Sequence, residues 1–355
     1  MKHSALRAVL LTPLLSLASL PATAMTPSAG CGAEGLSSGT FTLDHDGLTR
    51  TIRIHVPVGY DANQPTKLIT IFHGWGGNEN EFLGNANVIS EADSRGYILV
   101  APRGIGSGEP DRSLNSWSFP GSTTGLDGDG RNRDVPGDNA AICNPLATPD
   151  YNYPSCSDTA MTTCAWTHCQ SDDIAFAVAL VAHIGEQLCI DVDNVFAAGG
   201  SNGGMFTWSL GQDPASALTF RAIAPIIGLP HRAYLDGPGK PGDLPVLLIT
   251  GRADTTVPPG RWRNPYYTIT SDGDVFYYAS ATAITRVWAQ AHGCSVTADA
   301  MPFDDGRPQT DCRTYCTEDA AWPRVLDCRL GMGHTYRLNQ TWPLVMDFFD
   351  QQSIE

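Results

Sequence analysis

Three side chains, of types that can together perform nucleophilic catalysis, each follow a short apolar segment of this sequence. Ser201 is the centre of a Gly-x-Ser-x-Gly motif, Asp254 ends the segment Gly251–Asp254, and His334 follows Gly333 in a glycine-flanked segment. A histidine can accept the proton of a serine hydroxyl, and a carboxylate can orient that histidine and stabilise its cation. Taken alone, each residue has an alternative interpretation. Ser201 could lie on an ordinary tight turn, Asp254 could be a turn aspartate, and His334 could be a structural histidine. Their shared position after strand-like segments favours one site for acyl transfer.

The surroundings of Ser201 predict a strand, a sharp turn and a helix. The apolar run Val195–Ala198 precedes the motif, and an apolar segment with helical spacing follows it. A serine on such a turn lies so close to neighbouring backbone that a Cβ two positions away on either side would clash, which explains Gly199 and Gly203. The turn also places Ser201 at the N-terminus of the helix. There the N–H of Asn202 can face a developing oxyanion.

A second glycine-rich segment follows another predicted strand. The apolar run Lys67–Phe72 leads into His73–Asn78, with the sequence HGWGGN. Backbone amides in such a loop can approach a carbonyl oxygen because few side chains crowd them, and an α/β-hydrolase takes its second oxyanion donor from this position. An ordinary loop between a strand and a helix is the alternative.

Predicted strands and helices alternate along most of the chain. Asp46 and Gly47 lie between two alternating segments and predict a hairpin. The predicted strands are Thr40–Leu43, Thr51–Val56, Lys67–Phe72, Tyr97–Pro102, Val195–Ala198, Ala222–Ile227, Pro245–Thr250 and Arg324–Leu330. The predicted helices are Glu81–Arg95, one capped by Ser171 with an apolar face of Ile174, Val178, Val181, Ile184 and Leu188, one around Ile284–Ala291, and Arg337–Gln351.

Most of these strands are apolar throughout, which is typical of a parallel sheet covered by helices on both faces. The order Ser201, Asp254, His334, each after a strand, is that of the α/β-hydrolase fold and differs from the trypsin-like and subtilisin-like orders. We therefore predict an α/β-hydrolase fold, with a mostly parallel central sheet, and serine-hydrolase chemistry.

Composition and charge exclude several other classes of protein. The 355 residues contain 42% hydrophobic and 17% charged side chains, which suits a folded core rather than a disordered chain. The net charge is −15, and Lys2, Lys67 and Lys240 are the only lysines. Nucleic acid and anionic membrane surfaces require a basic patch, and no run of basic residues supplies one. We expect neither as a partner, and we make no prediction of the oligomeric state.

The first 24 residues predict a signal peptide that is removed. Lys2 and Arg7 precede the apolar stretch Ala8–Leu20, which is too short to span a bilayer, and Ala22–Ala24 fits a cleavage site. An N-terminal anchor helix is the alternative. We expect residues 25–355 to form a single catalytic domain of a secreted or periplasmic protein.

Export favours disulfides for the ten cysteines. Cys169 and Cys189 flank a helix of about eighteen residues, roughly 27 Å long, so they cannot pair with each other. We predict one local cluster of Cys143, Cys156, Cys164 and Cys169 and a second of Cys294, Cys312, Cys316 and Cys328. Cys31 and Cys189 then pair most simply with each other. A zinc site at Cys164, His168 and Cys169 is the alternative, which the secreted context disfavours.

Periodicity disappears between Gly104 and Ser171. A loop this long in a compact domain is usually functional. Its cysteines can crosslink it, and Trp117 and Trp166 offer flat surfaces for an aromatic acyl group or a sugar ring. We predict an insertion that forms a wall or lid of the site, with mere cover of the sheet edge as the alternative. The Asp127–Gly130 run lacks the glycine and glutamate of an EF-hand loop and is interpreted as a solvated turn.

Five segments of the sequence carry a family resemblance that extends over about residues 35–350. They are His73–Gly77, Ser171–Phe176, Gly200–Met205, Gly251–Asp254 and Gly331–Thr335, and together they resemble the secreted esterase family of polyhydroxybutyrate depolymerase-like and feruloyl esterases. The long cysteine-rich insertion departs from the compact members of that family.

The resemblance implies a role for each matched position. Ser201 would be the nucleophile, His334 the general base and Asp254 its orienting acid. The oxyanion donors would be the amides of Asn202 and Trp75, with Gly74 as the alternative to Trp75. Substrate contacts are expected from Trp117, Trp166 and Met205. No metal or organic cofactor is implied.

The function expected from these observations is a secreted serine carboxylesterase acting on an ester substrate. Aryl esters of plant polysaccharides, as for a feruloyl esterase, are the favoured substrate class. The alternatives are a polyhydroxyalkanoate depolymerase, an acetyl xylan esterase, or an acyltransferase or peptidase on the same scaffold. A catalytically inactive wall- or polysaccharide-binding protein is the alternative from a different class, and the intact set of three residues disfavours it.

Overall fold

The computed structural model describes residues 25–33, 35–107, 114–123, 142–144, 146–147, 151, 153–156, 164–240, 244–271, 273–316 and 322–354. The predicted signal peptide and the Asp127–Gly130 run lie outside these ranges. Within the described residues, no helix is long and apolar enough to cross a membrane.

A ten-stranded sheet is the centre of the described structure. The described residues contain these ten strands and two more, numbered in chain order: β1 (Gly39–His45), β2 (Leu48–His55), β3 (Thr66–Phe72), β4 (Tyr97–Pro102), β5 (Ile190–Gly200), β6 (Ala222–Ile226), β7 (Val246–Gly251), β8 (Tyr267–Ile269), β9 (Tyr277–Ala279), β10 (Met301–Phe303), β11 (Thr310–Thr314) and β12 (Val325–Leu330). Their order in the sheet is β1-β2-β4-β3-β5-β6-β7-β12-β11-β10, and β8 and β9 form a separate hairpin. The six central strands, from β4 to β12, are parallel, as predicted.

Within the described ranges, six α-helices cover the sheet. They are α1 (Asn80–Leu83), α2 (Ala86–Arg95), α3 (Asp173–Gln187), α4 (Asn202–Gln212), α5 (Ala281–Ala291) and α6 (Leu338–Gln352). Buried side chains of α3, α4 and α5 pack on one face of the sheet, and those of α1, α2 and α6 pack on the other.

The central strands are mostly apolar because both of their faces are covered, although β12 carries the buried polar pair Asp327 and Arg329. Along β3, Leu68 and Phe72 belong to one core and Ile69 and Ile71 to the other. Successive side chains of a strand point to opposite faces, so one unbroken apolar run supplies two hydrophobic cores.

The structure differs from the sequence prediction where polar side chains cap helices. The predicted helix Glu81–Arg95 is divided into α1 and α2, because the side chain of Asn85 caps the second helix by accepting hydrogen bonds from the amides of Asn87 and Val88. The N-cap of α3 is Asp172 rather than Ser171. A carboxylate is favoured there because it accepts from helix amides and complements the helix dipole.

Two further differences concern packing. The buried face of α3 is centred on Phe176, Leu180 and Ile184, whereas Ile174 and Val178 are only half-buried. The outer strands β10 and β11, which the sequence does not predict, are antiparallel to their neighbours. At the other edge β1 and β2 form the predicted hairpin, and β2 is antiparallel to β4. Strands β8 to β11 have three to five residues each, too few to give a recognisable alternation.

All ten cysteines form disulfides, within the clusters that the sequence predicts. The pairs are Cys31–Cys189, Cys143–Cys164, Cys156–Cys169, Cys294–Cys316 and Cys312–Cys328. The alternative zinc site is thereby contradicted, because Cys164 and Cys169 are bonded to other cysteines. His168 instead contacts Asp173, with 2.7 Å between Nε2 and Oδ2.

Candidate active site

Ser201 lies on the turn between β5 and α4 in a conformation that is uncommon for a residue with a side chain. Its φ is 53° and its ψ is −117°. A Cβ at position 199 would lie 2.3 Å from the carbonyl oxygen of Gly203, and one at position 203 would lie 2.1 Å from that of Phe72. The close approach that the sequence predicts at both glycines is therefore present, and it projects the serine side chain from the end of the sheet.

Ser201, His334 and Asp254 form one hydrogen-bonded series. His334 follows β12 and Asp254 follows β7, and these two strands are parallel neighbours. The Nδ1 atom of His334 is 2.8 Å from Oδ2 of Asp254, and its Nε2 atom is 2.9 Å from Oγ of Ser201. An imidazole that donates from Nδ1 to a carboxylate leaves Nε2 as the acceptor for the serine hydroxyl.

Asp254 is held in place by its own loop. Its side chain is buried, and Oδ1 accepts hydrogen bonds from the amides of Thr256 (2.9 Å) and Val257 (2.8 Å). Oδ2 thus faces His334 while the other oxygen is fixed by backbone. This arrangement sets the orientation of the imidazole and can stabilise its cation.

The glycine-rich loop after β3 passes over Ser201. A Cβ at Gly74 would lie 3.3 Å from the Cβ of Ser201. The Gly74 amide donates to Oε2 of Glu81 at 3.1 Å. This hydrogen bond corrects the expectation that Gly74 is an alternative oxyanion donor, because its N–H is engaged on the side of Glu81. Burial raises the pKa of Glu81, and hydrogen bonds from Tyr336 and the Gly74 amide oppose that shift.

The amide of Trp75 is oriented through the peptide group that it shares with Gly74. The Gly74 carbonyl accepts hydrogen bonds from Nδ1 of His73 (2.7 Å) and from the amide of Gly77 (3.0 Å). Because C=O and N–H point in opposite directions across a trans peptide, fixing this carbonyl aims the Trp75 N–H the other way. Among the described residues, no acceptor bonds the amides of Trp75 or Asn202. Both can therefore donate to a ligand.

His73 is a neutral, fully hydrogen-bonded imidazole beneath this loop. Its Nε2 accepts from the amide of Gly104 at 2.8 Å, while Nδ1 donates to Gly74. Burial lowers the pKa of His73 to about 4. A neutral ring has one donor and one acceptor, as these two contacts require.

A cavity of about 240 Å³ opens beside Ser201 and His334. Aromatic side chains form most of its wall. The described lining residues are Trp75, Tyr151, Trp166, Ser201, Met205, Thr256, Val257, Thr270, Asp274, Phe276, Tyr278 and His334. The expected contacts Trp166 and Met205 are therefore among its walls.

Trp166 is fixed by a buried histidine. Its indole N–H donates to Nε2 of His231 at 3.2 Å, and Nδ1 of His231 lies 3.4 Å from the carbonyl of Tyr277. Burial lowers the pKa of His231 to about 3, so this ring stays neutral and keeps its acceptor for the indole. The Trp166 face of the cavity is consequently rigid.

Trp117 does not line the cavity, which corrects the expectation that it contacts substrate. Its side chain is 0% exposed, stacks on Phe206 at 5.5 Å between ring centroids, and donates from Nε1 to the carbonyl of His73. The side chain of Asn202 pairs with the Trp117 backbone, accepting from its N–H at 2.8 Å and donating to its C=O at 3.1 Å. Trp117 thus packs below the glycine-rich loop and supports it.

Much of the cavity wall is absent from the sequence prediction. Phe276 and Tyr278 come from β9 and the turn that precedes it, while Thr256 and Val257 follow Asp254. The short hairpin of β8 and β9 carries no recognisable motif. The proximity of residues 256–257 to Asp254 is the one signal that could have indicated part of this wall.

Comparison with known proteins adds a sequence likeness to esterases. No protein-family model matches the chain. The chain is 27% identical over 218 residues to "Feruloyl esterase D" of Neurospora crassa, covering 61% of this chain and 59% of that protein. It is 24% identical over 229 residues to "Feruloyl esterase C" of Emericella nidulans, covering 63% and 62%. Each match thus spans about three fifths of the relative.

A solved structure shares the fold. An acetyl xylan esterase from Aspergillus awamori superposes with a TM-score of 0.50 and 13% identity, covering 88% of this chain and 99% of that one. At this identity the likeness shows the fold alone. The chain thus has the predicted α/β-hydrolase fold, and its similarity to feruloyl esterases confirms the resemblance to an esterase family of the α/β-hydrolase type.

Proposed function

We propose that this chain is an exported serine carboxylesterase in which Ser201, His334 and Asp254 hydrolyse aryl esters of plant polysaccharides. The observation that carries the proposal is the hydrogen-bonded series of these three residues at the mouth of an aromatic cavity. The feruloyl esterase relatives support the same reaction class. The proposal treats residues 25–355 as one catalytic domain and residues 1–24 as a signal peptide, and five disulfides support export.

The first step forms an acyl-enzyme. Nε2 of His334 accepts the hydroxyl proton of Ser201 while Oγ attacks the ester carbonyl carbon. The carbonyl oxygen becomes an oxyanion, which accepts hydrogen bonds from the amides of Asn202 and Trp75. The tetrahedral intermediate then expels the alcohol, which takes the proton from His334.

The second step releases the acid. His334 accepts a proton from water as the water oxygen attacks the acyl carbon, and the same two amides stabilise the second oxyanion. Collapse of this intermediate breaks the bond to Oγ and returns the proton to Ser201. Asp254 keeps the imidazole aligned and stabilises its cation in both steps.

The cavity wall supports a flat acyl group. Trp75, Tyr151, Trp166, Phe276 and Tyr278 all line it. Ring faces and edges contact an aromatic group favourably, beyond the burial of its area. A long flexible aliphatic chain would lose more conformational freedom in such a rigid space.

A panel of esters tests the proposal. We expect the purified protein to hydrolyse methyl ferulate with a larger kcat/KM than p-nitrophenyl octanoate, and Ser201→Ala to abolish both activities. Turnover that persists in Ser201→Ala would overturn the assigned nucleophile. A wild-type preference for aliphatic or 3-hydroxybutyrate esters would overturn the assigned substrate class.

A further inference from the structure

A half-buried carboxylate lies behind the glycine-rich loop, and the steps of the proposed reaction do not use it. Glu81 belongs to the first turn of α1, and among the described residues no lysine or arginine forms an ion pair with it. Glu79 differs, because both of its oxygens accept hydrogen bonds from the guanidinium of Arg103. Burial raises the pKa of Glu81, since its charged form loses contact with water. Its position is therefore explained by the neutral groups that donate to it.

Two donors from loops of the site reach this carboxylate. The amide of Gly74 donates to Oε2 of Glu81 at 3.1 Å, and the phenol of Tyr336 donates to the same carboxyl group. Gly77 lies on the path of the Glu81 side chain, because a Cβ at position 77 would lie 2.0 Å from Oε2. A glycine at this position thus leaves room for the carboxylate to reach the Gly74 amide.

Tyr336 lies where three loops of the site meet. It follows His334 by two residues, on the segment between β12 and α6. A Cβ at Gly74 would lie 2.3 Å from its Oη, and a Cβ at Gly200, in the nucleophile motif, would lie 2.2 Å from its Cε1. Its ring stacks on Phe82 of α1, with 5.0 Å between centroids. The phenol therefore connects the loop of the proposed base with the nucleophile turn and the glycine-rich loop.

The contact with Glu81 fixes one side of residue 74, and two other hydrogen bonds fix the other side. The N–H of Gly74 is bound by the carboxylate, while its C=O accepts from His73 and Gly77. Both peptide planes that flank Gly74 are then set, and the second of them carries the N–H of Trp75. Without the carboxylate the first plane is free to rotate, because a glycine has no Cβ to limit its dihedral angles. A shift of about 1 Å in a donor can cost about 10²-fold in rate.

We propose that Glu81, with Tyr336 as its second donor, is a positioning residue that holds the Trp75 amide in place for the oxyanion. This inference rests on the proposed esterase function and deepens it, because it names the side chains that set the glycine-rich loop. Neither side chain contacts the ester or exchanges a proton with it. Both act on the transition state, where the oxyanion forms, and leave the binding of the unreacted ester unchanged.

The test separates kcat from KM for p-nitrophenyl acetate in a set of variants. Glu81→Met removes the acceptor at similar length, Glu81→Gln keeps a carbonyl oxygen for both donors, and Tyr336→Phe keeps the ring without the phenol. We expect kcat to fall roughly 10- to 100-fold in Glu81→Met and about tenfold in Tyr336→Phe, less than the 10²–10³ lost when an oxyanion donor is deleted. KM is unchanged, and Glu81→Gln restores most of kcat. The double variant of Glu81→Met and Tyr336→Phe is no slower than Glu81→Met, because both changes break one contact.

Phenylboronic acid supplies a readout that a merely structural role would not move. Its boron bonds to a serine Oγ as a tetrahedral adduct, in which a boron hydroxyl takes the place of the oxyanion. Transition-state analogues lose affinity with the interactions that stabilise the transition state, so its inhibition constant should rise by the factor by which kcat/KM falls. Tyr97→Phe is the matched control, because the Tyr97 phenol also donates to a carboxylate, that of Asp350 at 2.8 Å, where β4 begins. It should leave kcat, KM and the inhibition constant unchanged.

Thermal melting shows which variants are folded, and Tyr336→Phe decides the test if Glu81→Met does not fold. An unchanged kcat in a folded Glu81→Met or Tyr336→Phe overturns the inference. So does a loss that appears in KM alone, an inhibition constant that stays constant while kcat falls, or a Glu81→Gln variant as slow as Glu81→Met. A wild type that hydrolyses neither p-nitrophenyl acetate nor methyl ferulate would instead overturn the proposed esterase function.

Discussion

At the scale of single residues, the side chains and amides of the site are held by hydrogen bonds that are present before substrate binds. Asp254 uses one oxygen for two backbone amides and the other for His334. Gly74 is held through both its N–H and its C=O. Such fixed donors and acceptors do not need to reorganise during the reaction, which is the main source of electrostatic catalysis.

The roles of the three residues predict an ordered series of losses. Ser201→Ala and His334→Ala each lower kcat on methyl ferulate by at least about 10⁴, because the pair acts as a unit. Asp254→Asn lowers kcat by about 10³–10⁴ through misorientation of the imidazole. The double variant of Ser201 and His334 should be no worse than either single one. Near-normal turnover in Asp254→Ala would contradict the assigned acid.

Two of the buried histidines, His73 and His231, predict loss of stability in acid. The pKa of His73 is lowered to about 4 and that of His231 to about 3, so between these values and about 6.5 the unfolded chain binds more protons than the folded one. The part of the unfolding free energy that depends on these neutral histidines is fully present above pH 6.5 and is lost as the pH falls. By pH 4.5 each histidine costs roughly 2–3 kcal/mol of unfolding free energy.

Denaturant unfolding at pH 7 and pH 4.5 checks this prediction. His231→Gln keeps an acceptor for the Trp166 indole but does not titrate, so its unfolding free energy should change less with pH than that of the wild type. Equal pH dependence in the two proteins would contradict the assignment.

Residue types alone were sufficient to predict which three side chains lie in one hydrogen-bonded series, but not the contacts of the glycine-rich loop. Glycines mark the elbow at Ser201 because a Cβ there would meet backbone. The engagement of the Gly74 amide by Glu81 depends on how α1 packs against the loop, and no local pattern reports that contact. The same limit explains Trp117, whose burial is decided by Phe206 and the backbone of His73.

At the scale of elements, the insertion holds the glycine-rich loop from outside. Gly104 donates to His73, Asn115 accepts from the amide of Gly76 and donates to the carbonyl of Gly77, and Tyr153 accepts from the indole of Trp75 at 2.7 Å. The insertion was predicted as a wall of the cavity. Through Tyr151 and Trp166 it lines the cavity, and it also supports the loop that carries the proposed oxyanion donor Trp75.

Removal of one of these supports should slow the chemical step. Tyr153→Phe takes away the nearer of the two acceptors of the Trp75 indole and leaves the carbonyl of Trp166 at 3.2 Å. We expect kcat to fall about tenfold, less than the 10²–10³ seen when a donor is deleted outright. KM should change little. Tyr60→Phe is the control, since its hydroxyl accepts from the amide of Cys189 and does not line the cavity. An unchanged kcat in Tyr153→Phe would contradict the role of Tyr153 in supporting the glycine-rich loop.

Substitutions of two tryptophans of the insertion should have different effects, one on stability and the other on substrate specificity. Trp117→Ala leaves a large void in the core and should cost about 3–5 kcal/mol of unfolding free energy. Trp166→Ala alters the cavity wall and should lower the ratio of kcat/KM for methyl ferulate to that for p-nitrophenyl acetate. An unchanged ratio for Trp166→Ala would contradict the expected contact between Trp166 and the substrate.

At the scale of the whole molecule, the parallel sheet and the β1–β2 hairpin at one of its edges could be predicted, and the β10–β11 edge could not. Long apolar strands between amphipathic helices have one stable arrangement, with helices on both faces. The outer strands β10 and β11 are short, so their pairing depends on the disulfide between Cys312 and Cys328 and on contacts distant in sequence. The cysteine clusters were predictable because residues close in sequence pair most readily.

The disulfides should contribute to stability in proportion to the chain that they close. Cys31–Cys189 joins residues 158 positions apart, whereas Cys294–Cys316 joins residues 22 apart. Replacing the first pair by alanine should cost about 4–5 kcal/mol, and replacing the second about 3 kcal/mol, in the chain-entropy description. Denaturant unfolding of both variants measures the difference. A larger loss in the second variant would contradict this order.

The most direct test of the central claim is covalent labelling of the nucleophile. The protein is incubated with a serine-directed phosphonate, and the modified peptide is identified by mass spectrometry. We expect one adduct, on Ser201, whose formation stops in His334→Ala and is slowed by methyl ferulate. No adduct, or an adduct on another serine, would contradict the claim that Ser201 is the activated nucleophile of this site.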